Sequence, residues 1–227
     1  MTLCATSLFT NSCTVFWATT YTFEPSAFEE FWFRRLGDAP LNATILADFN
    51  RMTHLWATIE PEEEWRLRRA NNDYLIRSVR FGSGSFHPKT YFFGSANHGD
   101  LLVGSGNLTL SGLEEGHEVF AHFSRSDDAA LPVFCGWRDW MSQIVSAVND
   151  HALYGRWSDA LNKAPWLRDL SSTAVFSNNW QISFLDQLKE QIEPPIDELH
   201  VSAPFFDNDC EALSELIEAT RPSLDYS

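Results

Sequence analysis

The sequence predicts an α/β sandwich built on a mixed sheet, and three observations predict it. Short runs rich in β-branched and aromatic residues recur at 14–20, 42–48, 74–81 and 89–93. Helical signals stand between the first of these runs, as the crossovers of parallel strands require. A turn-rich stretch at 94–100 then joins two adjacent runs directly, as an antiparallel hairpin does.

The elements follow in order. Thr14 to Thr20, TVFWATT, is the first expected strand. Pro25 and Ser26 open an amphipathic helix to about Leu36, with Phe28, Phe31 and Trp32 on one core-facing side. Asn42 to Asp48 is the second strand. Glu60-Pro61 and the acids Glu62 to Glu64 signal a helix start. Tyr74 to Phe81 and Lys89 to Phe93 alternate as strands, Leu101 to Val103 returns from the hairpin turn, and Glu118 to Ser124 is a further strand. From Leu131 to Gln191 the pattern is helix and loop, rich in tryptophan.

Composition sets the bounds. The 227 residues are 44% hydrophobic and 14% aromatic, too apolar for a disordered chain and long enough to bury a sizeable core. No apolar run reaches the length of a membrane span, and the N-terminus has no basic residue ahead of its apolar stretch, so a cytoplasmic protein without membrane contact is expected. Cys4, Cys13, Cys135 and Cys210 are scattered and read as free buried thiols. The histidines form no zinc motif, so neither metal nor cofactor is expected.

The net charge of -15 argues against a general nucleic-acid coating protein. The charge is uneven, however. Between Trp65 and Lys89 the balance reverses, with Arg66, Arg68, Arg69, Arg77, Arg80 and Lys89 against Asp73. Such a strip can receive a phosphate, and Arg66, Arg69 and Arg77 are candidate substrate-binding residues. Its plainer reading is a solvated helix face followed by a strand with outward arginines. Trp56 and Trp65 could stack on bases, although core positions are the default.

The last stretch resembles the first. At an offset of 183, Thr19 meets Ser202, Phe23 meets Phe206 and Glu24 meets Asp207, each in a strand–turn–helix pattern. Two domains are therefore expected, one complete repeat over 1–195 and the beginning of a second over 196–227. A generic strand–turn–helix likeness explains the match equally well.

The chemistry concentrates between Phe86 and Phe120. His87 and Lys89 flank a proline, so in an extended segment both side chains face the same way. Across the hairpin comes Gly104-Ser105-Gly106-Asn107, and eleven residues beyond Asn107 stands Glu118. If the hairpin closes, one face gathers an imidazole, an ammonium, a hydroxyl, an amide and a carboxylate. Lys89 and Asn107 can stabilise the charge that builds on phosphoryl oxygens. A neutral His87 can attack phosphorus, and Glu118 can fix its tautomer. Ser105 and the glycine amides, Gly104 among them, can hold a nonbridging oxygen. His98 reads as a solvated loop residue.

The pattern His87-x-Lys89 followed by Gly104-Ser105-x-Asn107 resembles the signature of the phospholipase D superfamily. LLVGSGNLTLSGL and the TTYTF opening are similar to its nuclease domains in bacterial restriction, defence and helicase-associated proteins. The resemblance implies a metal-independent phosphodiesterase working through a phosphohistidine, with an α/β/α sandwich as its fold. It makes His87 the nucleophile or partner acid, Lys89 and Asn107 phosphate ligands, Ser105 a supporting donor and Glu118 the holder of the histidine. DNA is the expected substrate, with a homodimer or a motor ATPase or helicase as possible partners.

Two departures stand out. The superfamily's aspartate five residues after the lysine is here Gly94, and Asp100 in the lengthened hairpin is not given its role. The superfamily site also uses two motifs, and only one H-x-K occurs. A twofold dimer or further sequence beyond the partial second copy is expected to supply the other. The alternatives are a small-molecule or phospholipid phosphodiesterase, and a non-catalytic module that binds nucleic acid or assembles a complex.

Overall fold

The computed structural model describes residues 5–9, 13–36, 41–58, 69–82, 84–171, 173, 176–201 and 209–222. It divides into two compact units, Met1–Val175 and Phe176–Ser227. The first unit holds a six-stranded sheet in the order β3-β2-β1-β4-β5-β6. Its strands are β1 Val15–Thr20, β2 Asn42–Asp48, β3 Tyr74–Val79, β4 Thr90–Gly94, β5 Gly99–Gly104 and β6 Phe120–Ser124. β1, β2 and β3 run parallel, whereas β4, β5 and β6 pair antiparallel. The sheet is therefore mixed, with crossovers on one half and hairpins on the other, as the sequence predicts.

Sequence dictates this division. β1 and β2 are buried at every position, as strands covered on both faces must be. On one face Phe16, Ala18, Tyr91, Phe93 and Leu102 join a core with Phe28, Trp32, Phe33 and Leu36, which follow α1, Pro25–Ala27, in a π segment, Phe28–Trp32, and a 3-10 segment, Phe33–Leu36. Met52 of α2, Phe49–Thr58, belongs to the same core. On the other face the Trp17 ring lies 4.8 Å from Trp157 of α4, His151–Lys163, and Phe92 stacks 4.8 Å from Trp137 of α3, Leu131–Val148. Each such aromatic pair adds roughly 0.5–1.5 kcal/mol beyond its buried area. A short helix, α5 at Pro165–Asp169, follows.

Several expectations are corrected in detail. Phe31 is 38% exposed, although Phe28 and Trp32 are fully buried. Over Phe28–Trp32 the helix takes the wider π winding, which turns Phe31 away from the stripe its neighbours form. Trp56 is also exposed on α2, at 43%. β6 begins at Phe120, two residues later than expected, because Glu118 and Val119 are drawn into contacts with Ser105. Cys13 and Cys135 are buried thiols outside any disulfide, and burial pushes the Cys13 thiol up to about 12, but Cys210 is exposed. Cys4 and the helix start at Glu60-Pro61 lie outside the described residues.

The second unit contributes helices α6, Phe184–Gln191, and α7, Glu211–Thr220. Ser183 caps α6 by accepting from the Asp186 N–H at 3.1 Å. The Ile196 N–H donates to the Thr220 carbonyl at 3.2 Å and ties the preceding chain to the end of α7. The residues matched to the first strand, 202–208, are outside the described set. Among the described residues no helix is long and apolar enough to cross a membrane.

Candidate active site

The site lies where β1 and β2 end, where β4 begins and where β5 leaves the sheet. Three backbone devices fix it there. First, Asp48, the last residue of β2, is 2% exposed. Its Oδ1 accepts from the Asn50 and Arg51 N–H groups, both at 3.0 Å, capping α2. Its Oδ2 accepts from the Phe86 N–H at 2.9 Å, so the residue before His87 is pinned to the strand end.

Second, Asn107 closes the turn after β5 onto β1. Its Oδ1 accepts from the Tyr21 N–H at 3.2 Å, the Thr22 N–H at 3.1 Å and the Thr20 hydroxyl at 3.3 Å. An amide has two ends, and with the oxygen engaged this way the Nδ2 donor is the end that can serve a ligand. Third, the Thr20 hydroxyl accepts from the Leu108 N–H at 3.0 Å, and the Leu110 N–H donates to Glu24 Oε2 at 3.0 Å, which zips the two segments together.

His87 and Lys89 do face the same way, as the extended H-P-K segment predicts. Lys89 Nζ donates to the His87 carbonyl at 2.9 Å and lies 2.5 Å from His87 Nδ1 and 3.1 Å from Nε2. Lys89 is only 5% exposed, and desolvation lowers its ammonium to about 8, a shift that Glu118 opposes electrostatically. His87 remains accessible, with its ring packed 4.4 Å from that of Tyr21. Desolvation, then the Lys89 charge, holds its pKa below the ordinary histidine value. A neutral imidazole and a charged ammonium therefore coexist near neutral pH, which suits attack on an anionic ester.

Other expected residues are used differently. The Ser105 hydroxyl donates to Glu118 Oε2 at 2.5 Å and accepts from the Val119 N–H at 3.0 Å. It is thus occupied by protein, and Glu118 is bonded to serine, where a bond to the histidine was expected. The Gly104 N–H donates to the Lys89 carbonyl at 3.1 Å and the Ser105 N–H to the Val119 carbonyl at 3.0 Å. Neither amide is left to hold a phosphate oxygen. Gly104 is required by close packing: a Cβ there would strike the Val119 carbonyl and the Phe120 ring.

Two of the candidate arginines are engaged by other partners. Arg77 Nε donates to Asp150 Oδ2 at 2.8 Å, joining β3 to the cap of α4. Arg69 stacks on Phe33 at 5.4 Å and pairs with Asp73 at 3.6 Å. Arg66 lies outside the described residues, as does Trp65. The arginine that does approach is Arg51, whose guanidinium carbon lies 4.7 Å from the centroid of the Tyr21 ring. Sequence reasoning missed Asp48, Arg51 and Tyr21; the one available signal was an aspartate ending a strand just before a helix.

Asp100 is engaged at the opposite end of the sheet. It contacts His98 Nε2 at 2.6 Å and His122 Nε2 at 2.8 Å; His98 is an exposed turn residue, as expected, that also meets this carboxylate. Among the described residues no cluster of three His, Cys, Asp or Glu side chains is arranged to hold a metal ion.

No family model matches the chain, and no curated protein matches it. Among solved structures it is similar to NucT from Helicobacter pylori, at 11% identity and a TM-score of 0.39, covering 70% of this chain and 85% of that one. It is also similar to a mutant of yeast tyrosyl-DNA phosphodiesterase, at 12% identity and a TM-score of 0.45, covering 80% of this chain and 43% of that one. The unmutated yeast enzyme gives 9% identity and a TM-score of 0.42, covering 82% of this chain and 45% of that one. The chain thus spans under half the length of the yeast proteins.

Proposed function

We propose that this chain is a metal-independent phosphodiesterase of the phospholipase D type, acting as a nuclease on DNA. The observation that carries the reading is the buried Lys89 ammonium set against an accessible, neutral-biased His87, with the Asn107 amide oxygen bonded to the backbone of Tyr21, whose ring packs on His87. In the resting arrangement the ammonium lies against both ring nitrogens, 2.5 Å from Nδ1 and 3.1 Å from Nε2. An arriving phosphate oxygen is a stronger acceptor than imidazole and draws the ammonium to itself. That frees a ring lone pair.

The freed nitrogen attacks phosphorus, forming an N–P bond as the bond to the leaving alkoxide breaks. Lys89 and Asn107 Nδ2 stabilise the charge on the nonbridging oxygens. A second imidazole protonates the alkoxide, and water then hydrolyses the phosphohistidine. With a single H-x-K in the sequence, a second copy of the chain or another motif supplies that imidazole. A restriction or anti-phage setting, with a helicase or motor ATPase as partner, is consistent with the resemblance of LLVGSGNLTLSGL and TTYTF.

The test is cleavage of labelled DNA in EDTA by the dimer, or by the chain joined to its partner motif, with His87→Ala as control. Persistence in EDTA and loss in the variant are expected. Cleavage strictly dependent on added magnesium overturns the mechanism. A second reading, a binding module without catalysis, is favoured by one observation: Ser105 and Glu118 satisfy each other and leave the histidine without a carboxylate from this chain's own turn. It predicts DNA binding that survives His87→Ala with no cleavage by any variant.

A further inference from the structure

Four arginines of the first unit are neutralised locally: Arg69 by Asp73, Arg77 by Asp150, Arg138 by Asp139 and Arg168 by Asp169. Arg51 differs. It is exposed, and among the described residues no carboxylate pairs with its guanidinium. The nearest candidate on its own turn, Asp48, spends both oxygens on backbone N–H groups. One of those bonds fixes the Arg51 backbone itself, so the side chain starts from a rigid point.

The direction of the side chain is set by Tyr21. The guanidinium sits over that ring at 4.7 Å, and the same ring packs 4.4 Å from His87. Arg51 is therefore one aromatic ring removed from the imidazole, and makes no hydrogen bond to His87, Lys89 or Asn107. Its charge still reaches the site, since it is one of the groups that disfavour protonation of His87. A single phosphodiester held by Lys89 and Asn107 has no evident need of a third cation at this remove. A polymer does, because its next phosphate follows at a fixed step along the strand.

Resting on the phosphodiester reading of the His87–Lys89 site, we infer that Arg51 binds the phosphate adjacent to the scissile one and so directs this site toward a nucleic-acid strand over an isolated phosphodiester. Arginine suits this role, with a planar donor fork that stays charged at all working pH values. Tyr21 pre-organises the fork by stacking, which reduces the entropy lost when the phosphate arrives.

The test measures binding, so it does not depend on a complete catalytic site. A fluorescein-labelled single-stranded DNA oligonucleotide is titrated with wild type, Arg51→Gln, Arg51→Lys and a far-end control, Arg125→Gln, across a series of salt concentrations. In parallel, inorganic phosphate is titrated by displacement of the labelled strand. Expected for Arg51→Gln is a loss of roughly five- to tenfold in strand affinity at low salt and a fall of about 0.7 in the slope of log affinity against log salt, the value for one phosphate contact on a single strand. Inorganic phosphate is expected to bind within twofold of wild type. Arg51→Lys should recover most of the slope, and Arg125→Gln should match wild type.

Strand affinity and slope unchanged in Arg51→Gln overturn the inference, as does a wild-type chain with no measurable affinity for the strand. Equal weakening of strand and inorganic phosphate places Arg51 on the scissile phosphate and overturns it also. Failure of the phosphodiesterase reading is seen elsewhere, as absent EDTA-resistant cleavage with strand binding and its Arg51 dependence intact.

Discussion

Ser105 Oγ donates to Glu118 Oε2 at 2.5 Å, and this bond clasps the turn after β5 to the chain entering β6. The carboxylate is thereby held where its field reaches Lys89, which it helps to keep protonated against the desolvation that lowers it to about 8. Removing the charge should leave desolvation unopposed. For Glu118→Gln the upper limb of the pH–rate profile should move below that of wild type, with activity at pH 7 reduced. Ser105→Ala should cost little stability, about 1 kcal/mol or less, because the Val119 N–H it abandons is open to water. Both follow from kcat/KM against pH together with thermal melts; an unmoved upper limb in Glu118→Gln would disconnect the carboxylate from Lys89.

A bell-shaped profile follows from the two shifted groups. Attack needs neutral His87, whose pKa lies below the ordinary histidine value, so activity should persist to lower pH than a typical imidazole allows. Charge stabilisation needs protonated Lys89, so activity should fall as pH rises through about 8. Lys89→Arg separates the limbs, since a guanidinium stays charged: the upper limb should vanish while the maximal rate drops through altered geometry. A wild-type profile flat from pH 7 to 10 would remove Lys89 from the charged role.

Asp48 joins fold and site. Asp48→Ala strips the acceptor from three backbone N–H groups, at Asn50, Arg51 and Phe86. A loss of about 2–4 kcal/mol is expected, seen as a melting temperature lower by roughly 5–12 °C. Asp48→Asn keeps one oxygen and should lie between. It has a second readout, because the Asp48 charge favours protonation of His87. Its removal should push the lower limb of the profile further down in pH, which a purely structural residue would not do.

Much of this was legible in the chain. Uniformly apolar runs such as NATILAD mark strands covered on both faces, and β2 has the bounds that pattern gives. The H-P-K spacing placed His87 and Lys89 side by side because an extended chain leaves no other choice. What stayed hidden is set by pairing between distant segments. Arg51 and Tyr21 meet because β1 and β2 are parallel neighbours that end together, with Thr20 opposite Ala47. The orientation of Arg77 depends on a partner, Asp150, that is 73 residues away and carries no local signal. A hydroxyl in a glycine-rich turn reads as an anion donor; only the return of β6 beside β5 shows that the Ser105 hydroxyl is already bonded to Glu118 and Val119.

Gly104→Ala separates packing from binding at that turn. A methyl at position 104 meets the Val119 carbonyl and the Phe120 ring, both part of the β5–β6 contact, so β6 must retreat. Overpacking of this kind costs about 1–3 kcal/mol, or roughly 2–12 °C in melting temperature. The retreat also pulls Glu118 from Ser105, so the upper pH limb should shift in the same direction as in Glu118→Gln. A glycine kept for an open amide would behave otherwise: its alanine variant would melt like wild type and show a raised KM with no change in the pH limbs. The Gly104 N–H is already given to the Lys89 carbonyl, and the first outcome is the one expected.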